Sequence, residues 1–198
     1  MTDEKGKEKQ PIWNVPNILT MIRVVLIIPF VILLLVGRAE WNGSGGILYC
    51  VLAEAIFIIA SLTDLVDGKI ARKYNLVTNF GKFMDPLADK LLVCAALICL
   101  VDMSKIPAWV VIVIISREFI ISGFRLVASD AGIVIAASYW GKFKTTFQML
   151  MIITMLAEPL LAGFRWFTAL AQSLMWIALL LTVISLIDYL YKNRKVML

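Results

Sequence analysis

The 198-residue sequence contains no histidine, only 3 cysteines and few charged residues. Without histidine, the chain cannot build a Ser–His–Asp triad, a histidine metal site or histidine acid–base chemistry. Any general base must therefore be a carboxylate, and any hard cation must be bound by oxygen ligands. Cys50, Cys94 and Cys99 lie in apolar runs and form no CxxC pair, which argues against a disulfide framework or a thiolate metal site.

Charged residues make up 17% of the chain and apolar residues 61%, whereas a soluble domain is about 25% charged and roughly 45–50% apolar. This composition leaves too little polar surface for a water-soluble protein. A bilayer-spanning helix needs roughly 20 apolar residues, and six segments qualify: 18–36, 47–65, 83–101, 106–127, 139–161 and 167–191. We therefore predict an all-α integral membrane protein, with residues 18–198 forming one six-helix bundle.

The N-terminal residues and the basic residues predict the orientation. Residues 1–10 are charged and resemble a cytoplasmic tail, whereas residues 11–17 carry Trp13 and two prolines, which suits an interfacial segment. Of the 19 Lys and Arg, only Arg38, Lys105 and Arg165 fall in predicted outer loops. This positive-inside asymmetry places both termini in the cytoplasm and accounts for the net charge of +5 without a nucleic-acid partner.

Four aspartates lie where the second span leaves the membrane and the third enters it. Asp64 and Asp67 are three residues apart, and Asp85 and Asp89 are four apart, so each pair shares one face of a helix. Four carboxylates crowded at a membrane boundary repel each other and are costly to desolvate. Bound Mg²⁺, Mn²⁺ or Ca²⁺ would relieve both problems, and two ions would leave room for a substrate.

The alternative is that these aspartates cap helices or pair with nearby basic residues, namely Lys69, Arg72, Lys82 and Lys90. Small residues in the same stretch favour a ligand site instead. Gly68, Ala71 and Gly81 leave space for a planar or phosphorylated ligand, and Arg72 supplies a donor fork suited to phosphate. Metal ions, small residues and an arginine together are typical of a pyrophosphate site.

A second basic group predicts an anion site in the fourth and fifth spans. Arg117 and Arg125 are eight residues apart and share a helix face, and Lys142 and Lys144 lie at the start of the next span. Intramembrane arginines seldom face lipid, so we expect Arg117 to point inward and bind a phosphate. The alternatives are that Arg117 pairs with Glu118 or with an aspartate of the cluster, and that Lys144 reaches outward to lipid headgroups.

The acidic stretch reads Asp64-x2-Asp67-Gly68-x2-Ala71-Arg72-x8-Gly81-x3-Asp85-x3-Asp89. It resembles the signature of the CDP-alcohol phosphatidyltransferase family at every fixed position. The resemblance extends beyond this stretch: NVPNILTMIR, GKFMDPLADKLLV, SREFIISGFRLVAS and GKFKTTFQM are similar to bacterial members whose acceptor is sn-glycerol 3-phosphate.

The resemblance implies a six-helix plasma-membrane enzyme, commonly a homodimer, with its active site facing the cytoplasm. Such enzymes transfer the phosphatidyl group of CDP-diacylglycerol to an alcohol and release CMP; here the product would be phosphatidylglycerol phosphate. By resemblance Asp64, Asp67, Asp85 and Asp89 bind two divalent ions, Mg²⁺ or Mn²⁺, and Asp89 is also the general base. The cytidine diphosphate would be bound by small and polar residues, namely Asn17, Gly68, Ala71, Arg72 and Gly81.

Two alternatives remain open from the residues alone. Within the family, the acceptor could be inositol phosphate or phosphatidylglycerol. In a different class, the aspartates could be the ion site of a divalent-cation transporter. Against a transporter, the carboxylates lie at one face of the bilayer, whereas transport sites usually lie near the midplane.

Overall fold

The described part of the chain consists of six α-helices and one short 3-10 helix, without a β-strand. The computed structural model describes residues 14–39, 44–74, 78–130, 132–133, 135, 138–161 and 164–194, except for the side chains of 39, 44–45, 65–73, 79 and 82. The predicted cytoplasmic tail and Trp13 lie outside these residues. The chain divides into two compact units, residues 1–96 and 97–198.

Each of the six apolar segments forms one helix. They are α1 (Val15–Ala39), α2 (Ser44–Lys73), α3 (Asn79–Asp102), α4 (Ala108–Asp130), α5 (Tyr139–Ala157) and α6 (Arg165–Lys192). The prediction that helices follow these segments is confirmed, although most boundaries differ, above all at the end of α2, which continues to Lys73 instead of ending at residue 65. Ser44, Gly45 and Gly46 open α2 instead of forming a loop. In the fifth segment, α5 ends at Ala157 and a 3-10 helix follows, since Pro159 has no N–H to continue the α-helical pattern.

Side-chain caps fix where three of the helices begin. Asn14 precedes α1, Thr78 precedes α3 and Ser138 precedes α5. The side-chain oxygen of each cap accepts a hydrogen bond from the amide three residues on, at 3.0, 3.0 and 3.2 Å. These bonds satisfy backbone donors that a helix start otherwise leaves unpaired. Two of the caps, Asn14 and Thr78, also form hydrogen bonds with Asn17, a polar residue discussed below.

In the first unit, α1 packs on α2 through buried aromatic and small residues. The rings of Phe30 and Phe57 are both fully buried, with centroids 5.8 Å apart. Near the other end of the contact, Gly37 leaves little room for a side chain, because a Cβ there would lie 3.0 Å from Cβ of Tyr49. Close helix approach at small residues is typical of packing between membrane helices.

The second unit contains α4, α5 and α6.

In the described residues as a whole, large apolar side chains are exposed and several charged side chains are buried, as in a membrane protein. Val25, Ile112 and Leu180 are more than 60% exposed, whereas Arg23 and Lys144 are 1% and 2% exposed. This is the reverse of a soluble fold, where buried charges are rare. The large aliphatic side chains on the outside are suited to contact with lipid tails.

Among the described residues, three stretches are long and apolar enough to cross a membrane: Val15–Arg38, Gly46–Asp64 and Arg165–Lys192. The other three helices carry charges inside their apolar segments. Asp85 and Asp89 lie in α3, Arg117 and Glu118 lie in α4, and Lys144 lies in α5. Because of these charges, length and composition alone identify half of the six predicted spans.

Candidate active site

A polar stripe runs along one face of α1 in the first unit. Asn17, Thr20 and Arg23 are spaced three residues apart, and their exposed fractions are 2%, 0% and 1%. This spacing brings all three to one side of a helix. Each of them contacts a residue of the predicted site.

Two of the four predicted aspartates are bound by this stripe. Nη1 of Arg23 donates to Oδ1 of Asp64 at 2.5 Å, and Oγ1 of Thr20 donates to Oδ1 of Asp85 at 2.5 Å. Asp64 lies on α2 and Asp85 on α3. The first helix therefore holds a carboxylate from each of the two helices that carry the acidic stretch.

The third residue of the stripe connects α1 to the start of α3. Nδ2 of Asn17 donates to Oγ1 of Thr78 at 2.9 Å, and the same hydroxyl accepts from the backbone N–H of Gly81. Asn17 and Gly81, both predicted to bind the nucleotide, are consequently close neighbours. A Cβ on Gly81 would lie 2.7 Å from Oδ1 of Asn17 and 3.7 Å from Oδ2 of Asp85. Only glycine fits there without displacing a neighbour.

Asp89 follows Asp85 by one turn of α3 and is partly exposed. The rest of the predicted site falls on the last turns of α2, where the backbone is helical to Lys73. The side chains there lie outside the described residues, and they include four predicted site residues: Asp67, Gly68, Ala71 and Arg72. Their roles stay predictions.

The predicted metal site consists of four aspartates, of which the structure describes the side chains of Asp64, Asp85 and Asp89. Within the described part of the chain, no three acidic or cysteine side chains are grouped closely enough to hold a metal ion. The Asp67 side chain, which the predicted set of four requires, is not among them. The contacts with α1 use only Oδ1 of Asp64 and of Asp85, so Oδ2 of each lies outside these contacts. A set made only of carboxylates suits Mg²⁺ or Mn²⁺ in its chemistry.

Sequence reasoning missed Thr20 and Arg23 as site residues. The signal was present, because Asn17, Thr20 and Arg23 interrupt an otherwise apolar helix at regular helical spacing. Polar groups inside a membrane helix are costly and usually face a partner. Thr20 and Arg23 also lie within NVPNILTMIR, one of the segments that carry the family resemblance, but they lie outside the acidic signature.

The second unit contains a buried charge cluster of its own. Arg117 on α4 is 7% exposed, and its Nη1 donates to Oε1 of Glu118 at 2.9 Å. Nη2 of Arg117 donates to Oγ of Ser185 on α6, and Nζ of Lys144 on α5 donates to the same Glu118 oxygen. Arg117 therefore points inward as predicted, and it pairs with Glu118, which was the alternative considered for it.

The other predicted anion-binding residues lie at the surface of the same unit. Arg125 is exposed, with its guanidinium 5.7 Å from the ring centroid of Tyr189. Lys142 is exposed, with its ammonium 5.5 Å from the ring centroid of Tyr139. The basic residue of α5 that joins the buried cluster is Lys144, which is buried instead of reaching outward.

Comparison with known proteins identifies related sequences. A model of the CDP-alcohol phosphatidyltransferase family matches residues 13–184. The chain is 50% identical over 189 residues to a Bacillus subtilis protein named CDP-diacylglycerol–glycerol-3-phosphate 3-phosphatidyltransferase, covering 91% of this chain and 95% of that protein. It is 38% identical to a probable phosphatidylglycerophosphate synthase of Mycobacterium tuberculosis, covering 92% and 82%. A Rickettsia typhi protein with the same name as the Bacillus one is 34% identical, covering 89% and 94%.

The contact between Gly81 and Asn17 generates a prediction about stability. We expect Gly81→Ala to lower the free energy of unfolding by about 1–3 kcal/mol, because overpacking must displace the Asn17 side chain or α3. Gly123→Ala is the matched control, since a Cβ there would meet nothing within 4 Å. This control should be neutral or stabilise by up to about 1 kcal/mol through helix propensity. Unfolding of purified protein in detergent, followed by circular dichroism, would measure both; equal stability of the two variants would contradict the prediction.

Proposed function

Because the chain belongs to the CDP-alcohol phosphatidyltransferase family, we propose that it transfers the phosphatidyl group of CDP-diacylglycerol to sn-glycerol 3-phosphate. The products are phosphatidylglycerol phosphate and CMP. The acceptor follows from the names of relatives that are 34–50% identical over most of both chains. The observation that carries the proposal is the polar stripe of α1, which binds signature aspartates from both α2 and α3.

The donor binds in the first unit in this proposal. Asn17 and Gly81 contact the cytidine diphosphate together with Gly68, Ala71 and Arg72. The absence of a side chain at Gly81 lets Asn17 lie directly against the start of α3 beside Asp85, and the Asn17 amide is held there by Thr78. Arg72 supplies the charged donors that a diphosphate requires.

The aspartates hold divalent metal ions, on which this family generally depends. Asp64, Asp67, Asp85 and Asp89 are the ligands, and two ions, Mg²⁺ or Mn²⁺, match four carboxylates. When bound, such ions supply positive charge that stabilises the diphosphate and the leaving CMP. Arg23 and Thr20 keep Asp64 and Asp85 oriented, because each fixes one carboxylate oxygen.

Asp89 is the general base. A hydroxyl is a poor nucleophile at neutral pH, and a carboxylate beside it removes the proton as the new bond forms. The chain has no histidine for this task, and Asp89 lies one turn beyond Asp85, further into α3. The acceptor oxygen attacks the phosphorus that carries diacylglycerol while its proton passes to Asp89, and CMP leaves in a direct displacement.

The phosphate of the acceptor is bound by the basic residues of the second unit. Arg117 supplies the central guanidinium, and Arg125 and Lys142 contribute positive charge. The burial of Arg117 and Lys144 supports this role, because Glu118 compensates only one of their two positive charges and a buried charge is costly without an anion.

The enzyme lies in the plasma membrane with six spans, both termini in the cytoplasm and the active site facing the cytoplasm, and it acts as a homodimer. Apolar residues on the outside of α1, α4 and α6 and the positive-inside distribution of Lys and Arg support this arrangement. The charged acceptor and the nucleotide product are both water-soluble, which agrees with an active site at the cytoplasmic surface.

In the first experiment, the purified protein is incubated with CDP-diacylglycerol, with Mg²⁺ or Mn²⁺, and with each of a panel of acceptor alcohols. We expect CMP release and a new phospholipid with glycerol 3-phosphate, and neither product when the metal is removed by a chelator. Lipid formation from inositol phosphate or phosphatidylglycerol alone would overturn the acceptor. Absence of CMP release with every acceptor would favour a cation transporter.

A second experiment tests the general base. We expect Asp89→Asn to reduce kcat for CMP release by at least about 100-fold, the usual contribution of a general base. Asp102→Asn is the matched control, because Asp102 lies on the same helix at its far end. Near-normal turnover of Asp89→Asn would refute the assignment of the base while leaving the overall reaction standing.

A third experiment tests the acceptor site. We expect Arg117→Ala to raise the KM for glycerol 3-phosphate by at least about tenfold, because a charged hydrogen bond to phosphate is lost. The KM for CDP-diacylglycerol should change little. If the KM for the nucleotide lipid rises instead, Arg117 belongs to the donor site.

A further inference from the structure

Among the described residues, two of the three guanidinium nitrogens of Arg117 have a hydrogen-bond acceptor and the third has none. Nη1 donates to Glu118 and Nη2 donates to Ser185, whereas the Nε–H is buried and has no acceptor among the described residues. Arg117 is 7% exposed, so the missing hydrogen bond leaves a desolvated donor of a charged group uncompensated. An oxygen atom supplied by a bound anion would remove that cost.

Glu118 brings a second cation to the same place. Its Oε1 accepts from Arg117 on α4 and from Lys144 on α5. These three side chains carry two positive charges and one negative charge. Electrostatic attraction is strong where water is excluded, so the cluster favours a further anion over a further cation.

Ser185 and Glu118 together fix the plane of the guanidinium. The two terminal nitrogens are bound to residues of different helices, Glu118 on α4 and Ser185 on α6. A guanidinium is planar and rigid, so fixing both ends also fixes the direction of the Nε–H. The donor is therefore held in place before any ligand arrives, which reduces the entropy lost on binding.

We infer that Glu118 and Ser185 are positioning residues for the acceptor site: they orient Arg117 so that its Nε–H meets an oxygen of the acceptor phosphate, and Glu118 holds Lys144 beside it. This inference rests on the proposed function, because it takes the anion to be the phosphate of glycerol 3-phosphate. Neither residue touches the reacting atoms. Their effect is on binding of the acceptor.

The test is steady-state kinetics of purified Glu118→Gln. Gln keeps the size of the side chain but loses the charge that orients both cations. We expect the KM for glycerol 3-phosphate to rise by about tenfold, the size expected for one charge-assisted hydrogen bond. The kcat and the KM for CDP-diacylglycerol should stay near their wild-type values. Glu118→Asp keeps the charge and should lie closer to wild type.

Glu158→Gln is the matched control. Glu158 pairs with Lys105 at 2.5 Å in the same unit, and its side chain is 12% exposed against 21% for Glu118. Loss of this second Lys–Glu pair should lower stability without raising the KM for glycerol 3-phosphate. An equal rise of that KM in both variants would mean that Glu118 has a structural role only.

If Glu118→Gln fails to fold, Ser185→Ala tests the same inference about the orientation of Arg117. The change removes one hydroxyl acceptor from the same guanidinium, and we expect the KM for glycerol 3-phosphate to rise by about threefold, less than for Glu118→Gln because the charge of Glu118 still orients Arg117. If the wild-type protein makes no lipid from glycerol 3-phosphate, the proposed function fails. If wild type makes it and Arg117→Ala raises the KM, but the Glu118 and Ser185 variants keep the wild-type KM, only this inference fails.

Discussion

The ion pair between Arg23 and Asp64 is the contact on which the site in the first unit depends. Arg23 is 1% exposed while the Asp64 side chain is 36% exposed, so a buried cation holds a carboxylate that faces outward. Removing one partner of such a pair leaves a buried charge uncompensated and is strongly destabilising. The pair also joins α1 to α2, and one turn away Thr20 joins α1 to α3 through Asp85. The first helix thereby fixes both helices that carry the signature.

Much of the fold could be predicted because hydropathy and helix formation depend on local sequence. Six apolar segments gave six helices, and Pro159 marks the end of α5. The start of α2 was harder, because Ser44, Gly45 and Gly46 have the composition of a loop. Tertiary packing overrides such weak local preferences: Tyr49 on the first turns of α2 lies against Gly37 of α1, where only a glycine allows the close approach.

The site could be predicted in part, because a motif names residues but not their partners. The contacts of Asn17, Thr20 and Arg23 span 41 to 65 residues in sequence, and no spacing rule reaches that far. In the second unit, the sequence alone does not distinguish Lys142 from Lys144, since both are lysines near the start of α5. Because they are two residues apart on a helix, they face different directions. Rotation of α5 against α4 decides that Lys144 meets Glu118, and rotation is set by side-chain packing.

Both buried clusters follow one electrostatic arrangement, in which the cation is deeper than its carboxylate. Arg23 lies beneath Asp64, and Lys144, 2% exposed, lies beneath Glu118, 21% exposed. The fixed positive charge then attracts anions towards the carboxylate and opposes cations there. If the four signature aspartates bind two divalent ions as proposed, Arg23 cancels one of the four negative charges. The remaining three face four positive charges, so the loaded site keeps an excess positive charge that attracts a diphosphate. A single Asp64 paired with Arg23 would bind a divalent ion weakly, which is a physical reason for the signature to supply three more carboxylates.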